Sequence, residues 1–393
     1  MNSQISASNF SPNTLNTFGE YRTKWHDIGL GTQTIDPDKA RSTIGVLYRT
    51  LGLNLPKVEF VCGIGDFEQR LHSLKQPPGF PNLLLPKSLR PEAMSLTGLL
   101  RIYFDRHLIQ PLKAQLPHAF LETVSQSDKT RQDAATFKTL IVREFATRYS
   151  KDRPLRLPGV KLSSTQNRGE RLFDRSFSPQ MAALKDGAWL DWAISEWNLE
   201  SQVTEAWWLF KMLARHTSFI YPTQELCLVC DRPKRLVLES DRTGKPAIDY
   251  ADGFRVYAAD GRRIPPEIGA IPMEEWDARW LLQVDLDRET RHCIARHLQS
   301  ESRTIAQLQA KAVARQRYDN EYVLLESPYS KQPLLLCKDR DGHLLSAWLV
   351  PEGTKTIRTA VTLIAYQFQS AWQHNGEIRS YFTGRNPRHI RSA

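Results

Sequence analysis

Cys227-Leu228-Val229-Cys230 is the most chemically suggestive spacing in this chain of 393 residues. Two thiols three positions apart make half of a zinc site or a redox pair, but zinc requires two further ligands. The later candidates, His292, Cys293, His297 and Cys337, stand isolated in the sequence. Within a strand, residues i and i+3 face opposite ways, which is poor clamp geometry. Buried strand cysteines are therefore the expectation, with no metal and no cofactor.

Other pairs fail on similar grounds. His292 and His297 sit five apart on an expected helix, so their side chains diverge by roughly 140°. A zinc-protease helix places its histidines four apart. Asp285-Leu286-Asp287 offers two carboxylates, yet an aspartate just before a helix ordinarily caps it. His26-Asp27 beside Trp25 carries an acid–base pair of types in a setting where surface or capping roles are commoner. Gly63-Ile64-Gly65-Asp66 is too short a glycine pattern to cradle a phosphate, and no nucleophile elbow, Walker loop or dinucleotide fingerprint occurs.

Two Asp-Gly pairs, Asp252-Gly253 and Asp260-Gly261, could be taken for ligands, but they interrupt segments that alternate apolar and polar residues. Asp-Gly between such segments is a strong hairpin signal. Together with Thr243-Gly244 they define a β-meander through Leu226–Glu239, Ala247–Tyr250 and Phe254–Ala258. Asp252 and Asp260 are thus read as turn residues alongside Gly244, Gly253 and Gly261. A calcium loop would need more oxygen ligands at fixed spacing. A second meander, Tyr322–Glu326, Leu334–Lys338 and His343–Val350, turns at Asp341-Gly342.

The elements around these segments are mostly helical. Asp36 caps and Pro37 starts a helix that Gly52 ends, with Ala40, Ile44, Leu47, Tyr48 and Leu51 on one stripe. Leu55–Val61 reads as a strand and the Pro-rich stretch 73–91 as a loop. Helices are expected over 92–115, 128–149, 187–216, 274–282, 287–299, 303–317 and 354–370. The regions that result are a loose tail at 1–24, a mainly helical region at 25–150, a basic loop or linker at 151–180, an α+β region at 181–373 and a basic tail at 374–393.

Charge supplies the clearest hint of a partner. The chain holds 53 Lys and Arg against 43 Asp and Glu, a net charge of +10. Between Lys138 and Arg175 ten basic residues face four acidic ones, a local excess of six. Ser, Thr, Asn and Gln at 163–167 add donors, and Phe173 and Phe177 lie close by. Arg and Lys on phosphates dominate non-specific nucleic-acid affinity, and aromatics stack on bases. The residues expected to make such contacts are Arg148, Lys151, Arg153, Arg156, Lys161, Arg168 and Arg171, with Arg385, Arg388 and Arg391 in the tail. No apolar run reaches the ~18 residues of a membrane span. The polar opening Met1-Asn2-Ser3-Gln4-Ile5 lacks the marks of a signal peptide. Five scattered cysteines fit a cytoplasmic protein with reduced thiols.

One resemblance runs through most of the chain. Val229-Cys230-Asp231-Arg232-Pro233, then Gly244, Pro246-Ala247, Tyr250, Asp252-Gly253, Tyr257, Gly261 and Ile264-Pro265 resemble a bacterial domain-of-unknown-function family. Its members carry C-D-R-P followed by a G-P-A-x-x-Y-x-D-G meander. Trp25, Ile28, Leu30 and Thr32, with Tyr48, Gly52-Leu53 and Pro56, are similar to its N-terminal motifs, and Val350-Pro351, Thr356, Arg358 and Ala360-Val361 to its closing helix. Ser240-Asp241-Arg242-Thr243 replaces the family's L-H-N-E-D, the aromatic-His pair near Ala259-Asp260 is missing, and His292 stands where a second arginine is usual. The resemblance implies a related fold and attaches no activity.

The expectation is an α+β protein with a helical N-terminal half and C-terminal antiparallel β-meanders flanked by helices. Tight turns argue against a doubly wound parallel sheet. The expected function is non-catalytic binding or regulation, with RNA, DNA or another polyanion as partner. A first rival is a hydrolase or nuclease assembling His26, Asp27, Asp285 and Asp287. A second is a component of a multiprotein system that reads a protein partner through the tryptophan-rich stretch 189–208, for which core packing is the simpler account.

Overall fold

A computed structural model describes residues 12–74, 95–116, 129–150, 168–238 and 242–365. The chain forms two compact units, Met1–Ala270 and Ile271–Ala393. The boundary falls inside the stretch 181–373 that the sequence presents as one region. The fold is α+β. No described helix is long and apolar enough to cross a membrane.

The first unit opens with helix α1 (Pro12–Gly29), so residues 12–24 are not a loose tail. Phe18 and Trp25 recur at helical spacing and are buried in the core, an apolar stripe that outweighs the local Ser and Asn content. Helix α2 (Pro37–Thr50) starts as its residues dictate: Asp36 accepts hydrogen bonds from the amides of Asp38 and Lys39, and Pro37 occupies the first turn. Strand β1 (Lys57–Val61) leads through Cys62 and Gly63 into helix α3 (Ile64–Ser73). Helix α4 (Leu96–Phe104) continues through a π-helical turn at Asp105–Ile109 into Gln110–Lys113.

A three-stranded sheet divides this unit. Strands β2 (Phe219–Pro222) and β3 (Leu226–Cys230) are antiparallel, while β1 pairs parallel to β3, Lys57 opposite Leu226 and Val61 opposite Cys230. The strand expected over Leu226–Glu239 is therefore cut short at Cys230. Residues of β3 alternate between two cores. Cys227 and Val229 join α1, α2, α4 and the tryptophan-bearing helices Ala188–Glu196 and Glu200–His216. Leu228 and Cys230 join α3, the helix Lys129–Ser150 and the meander.

That meander runs β4 (Arg235–Leu236), β5 (Ile248–Asp249), β6 (Arg255–Ala259) and β7 (Arg262–Ile264) in spatial order. Asp260 and Gly261 have φ of 49° and 69°, the two positive values a type I′ hairpin demands. At the preceding turn only Gly253 is positive, at 82°.

The basic stretch departs from expectation. Residues 151–167 lie outside the described residues, but Arg168–Arg175 is a helix and Pro179–Ala182 starts another. Phe173 is buried against Phe219, and Phe177 stacks on Phe104, so neither ring is offered to a base. Core burial claimed these rings.

The second unit is built on an antiparallel sheet, order β11-β10-β9-β8, from β8 (Lys311–Arg317), β9 (Glu321–Ser327), β10 (Ser330–Lys338) and β11 (Leu344–Leu349). Leu324, Leu335 and Val350 pack against Ile357, Ala360 and Ile364 of the helix at 357–365. The helix expected over 303–317 ends at Leu308, and Gln309 turns left-handed with φ 47°. The helix-forming residues of Lys-Ala-Val-Ala-Arg-Gln-Arg are recruited as a strand by pairing with β9, tertiary structure overriding propensity. The turn at Asp341-Gly342 forms as read, with Gly342 at φ 87°.

Candidate functional site

Among the described residues, several reactive side chains lie near the ends of β1 and β3. Gly63 occupies the N-cap position of α3 and has no side chain to satisfy the helix's first amides. Asp252 supplies the missing group from the β5–β6 turn. Its Oδ2 accepts the amide of Asp66 at 2.9 Å, and its Oδ1 accepts that of Phe254 at 2.9 Å. The glycines make room for it. A Cβ on Gly63 would stand 2.3 Å from the Asp252 Cγ, and one on Gly65 would stand 3.0 Å from its Oδ2. A glycine pattern too short for a phosphate thus cradles a carboxylate at a helix N-terminus.

The surroundings are acidic. Burial and then the Asp252 charge push the Asp66 carboxyl above its usual range. Burial foremost, with Asp252, Asp231 and Asp66 behind it, raises the Cys230 thiol strongly. Tyr250 is 1% exposed, and burial, Cys230, Asp252 and Asp231 all raise its phenol. Its hydroxyl has no hydrogen-bond partner among the described residues. Cys62 and Asp66 are exposed, so the cluster opens to solvent.

Cys230-Asp231-Arg232-Pro233 is a structural joint. Asp231 Oδ1 accepts the amides of Ile35 and Arg232 at 2.9 and 2.7 Å. Arg232 Nη2 donates to the carbonyls of Ala214 and Arg215, which close the helix Glu200–His216. Gly31 must be small, since a Cβ there would lie 2.3 Å from Arg232 Nη1. Trp25 is anchored alike, its Nε1 donating to Asp191 Oδ2 at 2.8 Å.

Cys227 and Cys230 face opposite cores, as strand alternation requires, and burial lifts the Cys227 thiol to about 12. The proposed hydrolase residues have separate duties. His26 Nε2 is 3.2 Å from Asp133 Oδ2 and its Nδ1 is 4.0 Å from Oδ1 of the largely exposed Asp27, while neither Asp285 nor Asp287 joins them in the first unit. Asp287, in the second unit, caps the helix Arg288–Leu298 through the amide of Thr290 at 3.0 Å, and Asp285 is exposed. His292 Nδ1 accepts the amide of Ala347 at 3.2 Å. On the turn between β10 and β11, Asp339, Asp341 and His343 each bring a ligand atom within 4.8 Å of the others. There Asp339 Oδ1 already accepts the amides of Asp341 and His343.

Of the basic residues expected to contact a polyanion, Arg148 is exposed but already engaged within the fold. It donates to Glu144 Oε1 at 2.8 Å and the Arg255 carbonyl at 3.2 Å, and lies over the Phe254 ring. Arg175 bonds Leu71 O and the Tyr221 hydroxyl, and Lys138 sits over Phe173. Arg168 and Arg171 fall on the helix Arg168–Arg175. Lys151, Arg153, Arg156, Lys161, Arg385, Arg388 and Arg391 lie outside the described residues. Trp189, Trp192 and Trp207 are buried and Trp197 is half-buried, leaving Trp208 exposed at 43%.

No family model matches this chain, and no curated protein or solved structure shows significant similarity to it.

Proposed function

We propose that this chain is a non-catalytic binding protein of the cytoplasm whose partner is a polyanion, RNA or DNA. In this reading it belongs to the domain-of-unknown-function family its motifs resemble. The observation behind the reading is the excess of six positive charges between Lys138 and Arg175 in a chain of net charge +10. Arg148 and Arg175 are spent on internal bonds. The contacts therefore fall to Lys151, Arg153, Arg156, Lys161, Arg168 and Arg171, with the tail arginines in support. The engagement of Asp252, Asp287, His26 and His292 in caps and pairs also favours binding over catalysis.

Filter binding of single-stranded and duplex RNA and DNA across a salt series tests it. Affinity should fall steeply as salt rises, and a quadruple K151Q/R153Q/R156Q/K161Q variant should flatten the log–log slope by roughly three. Affinity indifferent to salt would remove the electrostatic basis.

A further inference from the structure

The two edges of the second unit's sheet differ. At β11 the amide of Ala347 donates to His292 Nδ1 at 3.2 Å, on the helix Arg288–Leu298 that packs against that strand. At β8 no such cover is present: among the described residues no strand pairs with its outer side, and none of its amides or carbonyls bonds outside the sheet. A seven-residue strand with one neighbour leaves about half of its main-chain groups on the open side.

The charged side chains on this edge carry one sign. Lys311, Arg315 and Arg317 are exposed, and β8 has no acid. On the inner side β9 matches them: Glu326 stands opposite Lys311, Glu321 opposite Arg317, and Arg315 Nη1 donates to Glu321 Oε1 at 3.3 Å. On the outer side the three cations face no described strand. Val313 is an extra residue between Ala312 and Ala314, a bulge that bends the start of the edge and leaves Ala314–Arg317 in regular register. A second copy of β8 is a poor occupant, because antiparallel self-pairing sets Lys311 against Arg317. A nucleic acid is a poor one too, since its phosphates only accept hydrogen bonds and leave the outward carbonyls without donors.

We propose that the open edge of β8 takes up an acidic, extended segment of a partner protein as a fifth strand along Ala314–Arg317. In this mode main-chain hydrogen bonds supply affinity, and side chains at alternate positions select the partner. Carboxylates on the added strand continue the alternation that β9 and β8 begin, acid, base, acid across the sheet. Tyr318, 53% exposed just beyond the strand, offers the same segment an apolar contact. This inference stands apart from the polyanion reading, since it uses none of the same residues.

Fluorescence anisotropy of a labelled decapeptide of alternating Glu and Thr, titrated with the full-length protein, tests it. Wild type should bind, and K311E/R317E should weaken binding by about tenfold. R106E/K113E, an equal change of charge at exposed sites of the first unit, should bind as wild type does. A peptoid with the same side chains and no backbone N–H should not bind. Circular dichroism on each variant confirms that it folds. No binding of the peptide by wild type overturns the proposal. So does an equal effect of the two double variants, or a peptoid that binds as the peptide does, since charge alone would then suffice. An oligothymidylate whose binding falls in K311E/R317E while the peptide's does not would make the edge a nucleic-acid contact and overturn it as well.

Discussion

The main-chain amide of Asp66 donates a 2.9 Å hydrogen bond to the carboxylate of Asp252, 186 residues further along the chain. A helix that begins with Gly63 receives its capping group from a β-turn instead of from its own sequence. Removing that group by D252A should lower unfolding free energy by about 1 kcal/mol, the usual worth of a capping side chain. G63S alone should also destabilise, because its Cβ would collide with Asp252. In the double variant the new serine has room and reaches the vacated amide. Chemical denaturation should then show the pair less harmful than the summed single effects, and strict additivity would contradict the trans-capping account.

The hairpin at Asp260-Gly261 sets a second expectation. Gly261 is at φ 69°, and a Cβ there would also stand 3.2 Å from Thr136 Cγ2. G261A should therefore cost about 1–2 kcal/mol through the left-handed backbone, read from the urea midpoint. A midpoint equal to wild type would mean the turn is not type I′.

Glu301 links stability to acidity. Burial works to raise its carboxyl, but the hydrogen bonds and charges of Arg315 and Lys338 prevail and hold it below the usual range. A depressed carboxyl stabilises the fold above its ordinary titration range and loses that contribution as the pH falls through the depressed value. E301Q should cost about 2 kcal/mol at neutral pH, and the gap from wild type should close in strong acid. Thermal melts across the acidic range that keep a constant gap would refute the pairing.

Thiol labelling checks the sheet. Cys62 is exposed, whereas Cys227, Cys230, Cys293 and Cys337 are buried. Ellman's reagent at mildly alkaline pH should modify Cys62 promptly and the other four only on unfolding. Rapid reaction at Cys227 or Cys230 would place them outside the two cores.

Arg148 separates stability from binding. Its bonds to Glu144 and the Arg255 carbonyl and its seat on Phe254 predict that R148Q loses about 1–2 kcal/mol. Nucleic-acid affinity in the filter assay should stay as in wild type, and a matching fall in affinity would restore Arg148 as a contact.

Local chemistry was readable in the sequence; distant pairing was not. Asp36 and Pro37 announced α2, the Asp-Gly pairs announced their turns, and the spacing of Cys227 and Cys230 announced opposite faces. Each of these rests on a few adjacent residues. Asp252 declared its turn but not its second duty, because the amide it serves belongs to another part of the chain. One clue was present: α3 opens on Gly63-Ile64-Gly65, with no capping side chain at its start. The parallel match of β1 with β3 left no mark in either segment. Lys311–Arg317 carries residues of helical preference, and only its neighbour β9 decides otherwise.

Strand β3 has no solvent face from Cys227 to Cys230. Successive residues serve rival interiors, so inserting or deleting a single residue would deliver every one of them to the wrong side at once. Its length is therefore fixed from both directions. Side chains on either flank can drift only in ways that the shared partition tolerates.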